Sequence, residues 1–226
     1  MGTYSIVQKS QLEGGSRIDA EYYQSEILNF LRNLSLNRET KILRDLVVFI
    51  NHAKQPPYVD RGEIPIITQR HLGDIFVNLE ALDDPDTKYT SREWLKLNPK
   101  FKLCSGDILY YSVGAYIGKT NIILEDIEAT SASFITIIRA NDKIDPLYLA
   151  IILNSQIGMI QSKRWKSASA QPYIYPKDIK NFVIPLLSKT DQQKIANLVR
   201  QSYEARRKAK ELLNQVKQKV EELIKK

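Results

Sequence analysis

From Asp191 to Lys226 the chain carries neither glycine nor proline, and apolar or small residues recur there in steps of three and four. Ile195, Val199, Ser202, Arg206, Ala209, Leu213, Val216, Val220 and Leu223 form a heptad seam that is apolar or small everywhere except Arg206. Leu198, Leu212 and Ile224 widen it. A helix of this length spans roughly 50 Å at about 1.5 Å per residue, more than a small domain is wide. It is expected to project from the body and to pack on another helix. Arg206 either fixes the register of that pairing or snorkels outward.

Upstream the pattern is mixed. Ala20, Tyr23, Ile27, Phe30, Leu31 and Leu34 share one face, which predicts a helix from Asp19 to Leu34. The apolar run ILRDLVVFI follows, and Pro56-Pro57 ends what comes after it. GEIPIIT reads as a strand in which Pro65 requires an edge or a strand start. HLGD and DDPDT read as turns, and SREWLKLNPKF as a short helix or loop. LCSGDILYYSVGAYIGKTNIIL reads as two strands punctuated by Gly106, Gly114 and Gly118. SASFITIIRA is a further strand, Asp145-Pro146 opens the helix LYLAIILNSQIGMIQSK, and YIYPKDIKNFVIPLL ends in a strand. Strands and helices interleave without a regular βαβ rhythm, so an α+β fold is expected. Its β-rich body with packed helices takes residues 1–187, and a long coiled-coil helix takes residues 188–226.

The 226 residues, 43% of them hydrophobic, suffice for one sizeable core. A single cysteine, Cys104, excludes a disulfide framework and a multi-cysteine zinc site, and suits a reducing cytosol. No segment is apolar enough to span a bilayer and the first residues lack a signal core, so a soluble, cytoplasmic protein with no membrane partner is expected. The formal net charge of +7 is unevenly placed. From Lys189 onward eleven Lys or Arg face five Asp or Glu, whereas the body holds 22 against 21. Local clusters, not net charge, must therefore carry any nucleic-acid reading.

Four clusters qualify as DNA-contacting candidates. The densest runs from Gln161 through Lys163, Arg164 and Lys166 to Ser169, Gln171 and Tyr173. Its cations attract phosphate, while Gln161, Arg164 and Gln171 suit base edges. Alternatively the cations cap a helix C-terminus and stay solvated. A second cluster is Gln69-Arg70-His71, with Arg70 the strongest candidate, although polar residues at a strand exit also serve as turn chemistry. A third is Tyr110, Tyr111 and Ser112 with Tyr116 and Lys119, where Gly114 and Gly118 allow close backbone approach; strand tyrosines also serve as half-buried packing. Lys54, Gln55 and Tyr58 form a fourth.

No catalytic set is visible. Gln55-Pro56-Pro57-Tyr58 imitates the Asn/Asp-Pro-Pro-Tyr motif of amino-methyltransferases, but Gln is a methylene longer and no Gly-rich cofactor turn accompanies it. Asp86-Thr87-Lys88 lacks the second spaced carboxylate that a metal-dependent nuclease needs. Gly114 and Gly118 enclose three residues where a phosphate-binding loop needs four. His52, His71 and Cys104 make neither a triad nor a zinc site. No enzyme activity, metal or cofactor is expected.

Six segments recur in a recognisable order: Arg17-Ile18-Asp19-Ala20-Glu21-Tyr22-Tyr23; Gly62-Glu63-Ile64-Pro65-Ile66-Ile67 with His71-Leu72; Gly106-Asp107-Ile108-Leu109 with Gly114-x-x-x-Gly118-Lys119; Asp145-Pro146-Leu147-Tyr148-Leu149 with Leu153-Asn154-Ser155; Gln171 ahead of Ile174; and Ile184-Pro185-Leu186 with Gln192-x-x-Ile195. In this order and spacing the chain resembles the specificity (S) subunits of type I restriction-modification systems. Those subunits usually hold two target-recognition domains and two long helices, whereas this chain has one of each. Ser167-Ala168-Ser169-Ala170-Gln171 also lacks the glycine of the family's G-S/A-x-x-Q turn. The resemblance implies a non-catalytic specificity subunit that reads double-stranded DNA. It further implies a homodimer through antiparallel helices, a bipartite inverted-repeat target with a spacer, and recruitment of methyltransferase (M) and restriction (R) subunits. An alternative is a truncated half-subunit that acts only as a protein-interaction module, pairing by its helix with the methyltransferase or a full-length S subunit.

Overall fold

The computed structural model describes residues 6–8, 19–59, 62–167 and 170–225, so Arg17, Ile18 and the candidate Ser169 lie outside the described residues. The central sheet has four antiparallel strands in the order β2 (Val47–His52), β8 (Ile135–Ala140), β5 (Ile108–Tyr111) and β6 (Thr120–Ile122). Both of its faces are buried, which is why its inner strands read as near-continuous apolar runs. Ile108, Tyr110, Ile122 and Ile138 join the core beneath the helices. Leu109, Ile123, Ile135 and Ile137 join a second core with Ile67, Phe101 and Leu103.

A smaller sheet sets β3 (Ile64–Ile67) between antiparallel β4 (Tyr89–Thr90) and parallel β7 (Thr130–Ser131). Pro65 therefore sits in a central strand rather than at an edge. It is tolerated because pairing with β7 starts only at Ile66↔Thr130, so no donor is missed on that side. A two-stranded ladder, β1 (Thr40–Ile42) with β9 (Val183–Pro185), ties the front of the chain to the segment ahead of the long helix.

The first helix, α1, runs Ser25–Asn37 and not from Asp19. Residues 19–23 form turns instead, with the Tyr22 and Tyr23 amides bonded to the Asp19 and Ala20 carbonyls. The reason is aromatic burial: Tyr22 packs edge-on against Tyr23 and against Trp165, both with ring centroids 4.9 Å away. After α2 (Arg92–Leu97), the single helix expected after Pro146 is two, α3 (Pro146–Asn154) and α4 (Gln156–Trp165). Ser155 breaks it by leaving helical geometry and capping α4, its hydroxyl accepting the Ile157 amide at 3.2 Å. Gly158 permits the sharp bend, because a Cβ there would lie 2.0 Å from the Leu153 carbonyl oxygen. A one-turn α5 (Pro176–Ile179) precedes β9.

The last helix, α6, spans Lys189–Ile224, 36 residues, and is capped by Ser188, which accepts the Asp191 amide. Its first turns dock on the body. Gln192, Ala196 and Val199 are buried there, and Ile195 and Tyr203 pack partly against the same core. Ile195 and Val199 thus belong to the body and not to a partner seam, and Arg206 turns to Asp74 at 3.6 Å. Every described residue after Tyr203 is exposed. The stripe left free runs through Leu198, Ala205, Ala209, Leu212, Leu213, Val216, Val220 and Leu223. It lies roughly 110° around the axis from the docked stripe at about 100° per residue. The fold is α+β with a long C-terminal helix.

Candidate nucleic-acid interface

The end of α4 presents its cations unequally. Gln161 is buried, with Oε1 accepting the Val183 amide at 2.6 Å and Nε2 donating to the Val183 carbonyl at 2.9 Å. Its amide ties α4 to β9, so it is not a base reader. Arg164 is half-buried, with its guanidinium 4.0 Å from the Tyr22 ring centroid and Nε donating to the Tyr22 carbonyl. Lys163 and Lys166 are exposed.

Beyond α4 the chain closes a loop. The Ser167 amide donates to the Tyr173 carbonyl at 2.9 Å, and the Tyr173 amide donates to Ser167 Oγ at 3.0 Å. Gln171 is exposed within it. This loop is stitched to the tip of the β5–β6 hairpin: the Gly114 amide donates to the Pro172 carbonyl, and the Ile174 amide to the Ser112 carbonyl, both at 2.9 Å. Two clusters far apart in sequence become one surface.

The hairpin tip is shaped by Gly114 and Gly118, whose φ values of +87° and +93° suit glycine. Tyr116 stands 60% exposed on it. Tyr111 is buried below, edge-on to Tyr116 and Phe134 with ring centroids 6.3 Å and 6.0 Å apart. Ser112 is also buried: its hydroxyl lies 2.5 Å from that of Thr136, which reaches His52 Nδ1 at 3.2 Å. Tyr111 and Ser112 are therefore supports under the surface, not parts of it. Burial holds the His52 pKa below its ordinary value. Lys119 is half-exposed at the exit of the tip.

The fourth cluster adjoins through Gln55, whose Oε1 accepts from the Ser133 hydroxyl at 2.9 Å, next to Phe134. Lys54 and Tyr58 are exposed, and Lys54 Nζ donates to Asn98 Oδ1 at 3.1 Å. At the β3 exit, Gln69 and Arg70 are exposed and His71 is buried. Parallel pairing of β3 with β7, continued by the Ala132 amide on the Ile67 carbonyl, sends this exit alongside the chain leading to Ser133. Arg70 Nη1 meets Asp86 Oδ2 at 2.5 Å, and this bond raises the arginine pKa and lowers that of the aspartate.

Tyr175 and Lys177 belong to the same surface and escape the sequence reading. Tyr175 lies 4.6 Å from Tyr173 and 6.5 Å from His52 between ring centroids, with Lys177 Nζ 5.5 Å from its ring centre. The signal was the i, i+2 spacing of Tyr173 and Tyr175, which puts both rings on one side of an extended segment. Amide, phenol and ammonium groups on two joined loops suit phosphate oxygens and base edges. Among the described residues no group of three or more His, Cys, Asp or Glu is placed to hold a metal, and no helix is long and apolar enough to cross a membrane.

A family model described as the type I restriction modification DNA specificity domain matches residues 37–221. The HsdS subunit from Thermoanaerobacter tengcongensis superposes with a TM-score of 0.51 at 18% identity, over 81% of this chain and 44% of that one. A chain solved for complex assembly and conformational transition of the type I R-M system gives 0.50 at 16% identity, over 83% and 49%. The type IIG restriction endonuclease BpuSI gives 0.53 at 9% identity, over 86% and 30%. This chain spans half or less of the length of each of these structures, and the likeness to them is one of fold. No curated protein sequence matches it.

Proposed function

The chain belongs to the family of type I restriction-modification DNA specificity domains, and we propose that it reads double-stranded DNA as one half of a homodimer. Residues 1–187 form the recognition domain, and residues 188–226 the dimerisation and spacer helix. The observation that carries the reading is the stitching of the loop 167–174 to the hairpin tip at Ser112 and Gly114. That junction offers Tyr116, Lys119, Lys163, Lys166, Gln171 and Tyr173 to one duplex, and Ser169, between Ser167 and Gln171 in sequence, is proposed with them. Lys54, Gln69 and Arg70 extend the contact.

Two copies pairing antiparallel along the free stripe of α6 have true two-fold symmetry, so their target is an inverted repeat with an unread spacer. Methylation and cleavage belong to M and R subunits that the assembled dimer recruits in the cytoplasm, and the chain itself is not an enzyme. Selection of the full chain against random DNA, followed by binding at increasing salt, tests this. An enriched inverted repeat and an affinity that falls steeply with salt are expected. Absence of both would leave a module that pairs through its helix with a methyltransferase or a full-length S subunit. Deleting one heptad from the tail, about 10 Å of helix, should shorten the preferred spacer by about three base pairs.

A further inference from the structure

The docked half of α6 is held in two ways. Near its start, Gln192 fixes the helix to the body, with Oε1 accepting the Asp145 amide and Nε2 donating to the Leu187 carbonyl, both at 2.9 Å. Ala196 and Val199 add apolar contact. Beyond them apolar contact thins to the Tyr203 ring, edge-on to Phe76 with centroids 4.9 Å apart. Yet the same stripe goes on to meet carboxylates from separate loops of the body. Arg200 Nη2 lies 3.8 Å from Asp145, the residue that caps α3. The Tyr203 hydroxyl donates to Glu125 at 2.7 Å, Arg206 lies 3.6 Å from Asp74, and Lys210 pairs with Glu80.

We infer that Asp74, Glu80 and Glu125, engaging Arg206, Lys210 and Tyr203, are positioning residues that set the angle at which the tail leaves the recognition body, and through it the half-site separation the dimer accepts. The second part rests on the homodimer reading above. Exposed ion pairs contribute little to folding one by one. Here they act at a distance from the pivot, since Lys210 lies roughly 17–21 Å along the axis from Val199 and Ala196. A tilt of about 10° over the roughly 40 Å arm from that pivot to Ile224 moves the far end by roughly 7 Å, about two base-pair rises of ~3.4 Å. Burial, and Glu125 after it, pushes the Tyr203 phenol up to about 12, so it remains a donor at physiological pH.

Cys104 is exposed and the sole cysteine of the chain, which allows a direct test. Spin labels on Cys104 and on an introduced Glu221→Cys, with labelled chains diluted in unlabelled ones, report the body-to-tail distance within one chain by pulsed EPR. The native chain is expected to give one narrow distribution. Asp74→Lys with Glu80→Lys should shift it by about 5 Å or more, or double its width, and adding Arg206→Glu with Lys210→Glu should restore it. A distribution unchanged by the Lys pair overturns the clamp. On DNA, the Lys pair should lower discrimination between spacers at least threefold while each half-site is still bound. Unchanged discrimination despite a shifted distance overturns the link to spacer choice. Failure of the native chain to select any DNA would overturn the proposed function, while the EPR distances still decide whether the clamp sets the angle.

Discussion

Arg164 lies over the Tyr22 ring, 4.0 Å from its centroid, and donates from Nε to the Tyr22 carbonyl at 3.3 Å. A cation that composition assigns to DNA thus brackets the segment ahead of α1 onto the end of α4.

Arg164→Ala should therefore cost about 1–2 kcal/mol of stability, from the lost cation–π contact and hydrogen bond. The urea midpoint would fall with an unchanged slope. Lys163→Ala, at an exposed position, should leave the midpoint in place and weaken DNA binding, lowering the salt slope by about one. If Arg164→Ala leaves the midpoint unchanged, the bracket is not structural.

Gly114 and Gly118 share a positive φ but differ in their surroundings. A Cβ at Gly118 would lie 2.8 Å from Ser162 Oγ and 3.0 Å from Ser162 Cβ, whereas at Gly114 nothing lies within 4 Å. Ser162 cannot retreat, since its hydroxyl is held by the Tyr110 hydroxyl at 2.7 Å and the Gly158 carbonyl at 2.8 Å. Gly114→Ala should cost about 1 kcal/mol and Gly118→Ala roughly 2–4 kcal/mol. Equal losses in thermal or urea unfolding would show that backbone conformation alone governs both positions.

What the sequence reveals and what it hides follow one physical line. The α+β class, the strands at Ile108–Tyr111 and Ile135–Ala140 and the long helix are legible because local periodicity and punctuation govern them. The α3–α4 break is not, because nothing before the bend distinguishes Ser155 from a helical serine. The late start of α1 is decided by Trp165, far along the chain. At the candidate interface, residue type marks the loops, but long-range partners decide who faces outward. Val183 takes Gln161, Tyr22 takes Arg164 and Thr136 takes Ser112. On α6 the heptad is legible, whereas the body's claim on Val199 and Arg206 depends on a surface that exists only after folding.

His71 supplies a pH dependence. The Thr68 amide donates to Nδ1 at 2.9 Å, which places the neutral ring's proton on Nε2, 3.3 Å from the Thr87 hydroxyl; that hydroxyl donates to the Ala81 carbonyl. Burial, outweighing the backbone hydrogen bonds, holds the folded pKa below the ordinary histidine value. The unfolded chain then binds the proton more readily. Stability is fully present above about pH 6.5 and is lost as pH falls from there through the folded pKa. His52, also lowered by burial, acts in the same direction. Urea midpoints at about pH 7.5 and 5.5 should differ in the native chain and differ less in His71→Gln, which has no titrating group. An unchanged difference would move the effect away from His71.

Adjacent positions on α6 separate docking from association. Val199 is 9% exposed against the body, while Leu198, one residue earlier, is 66% exposed on the free stripe with Val216 further along. Val199→Asp places a carboxylate in the core and should destabilise the body by about 2–4 kcal/mol, whether or not a second copy is present. Leu198→Asp paired with Val216→Asp should leave the body's unfolding unchanged at high dilution, because neither side chain touches it. The same pair should convert the proposed dimer to a monomer, since carboxylates in an apolar seam repel and lose water when two helices close. Light scattering during size exclusion reads the mass, and unfolding followed by tryptophan fluorescence reads the body. A dimer that survives both aspartates would place the association surface elsewhere and remove the free stripe from the proposed assembly. A body weakened by them would mean that the stripe is not free.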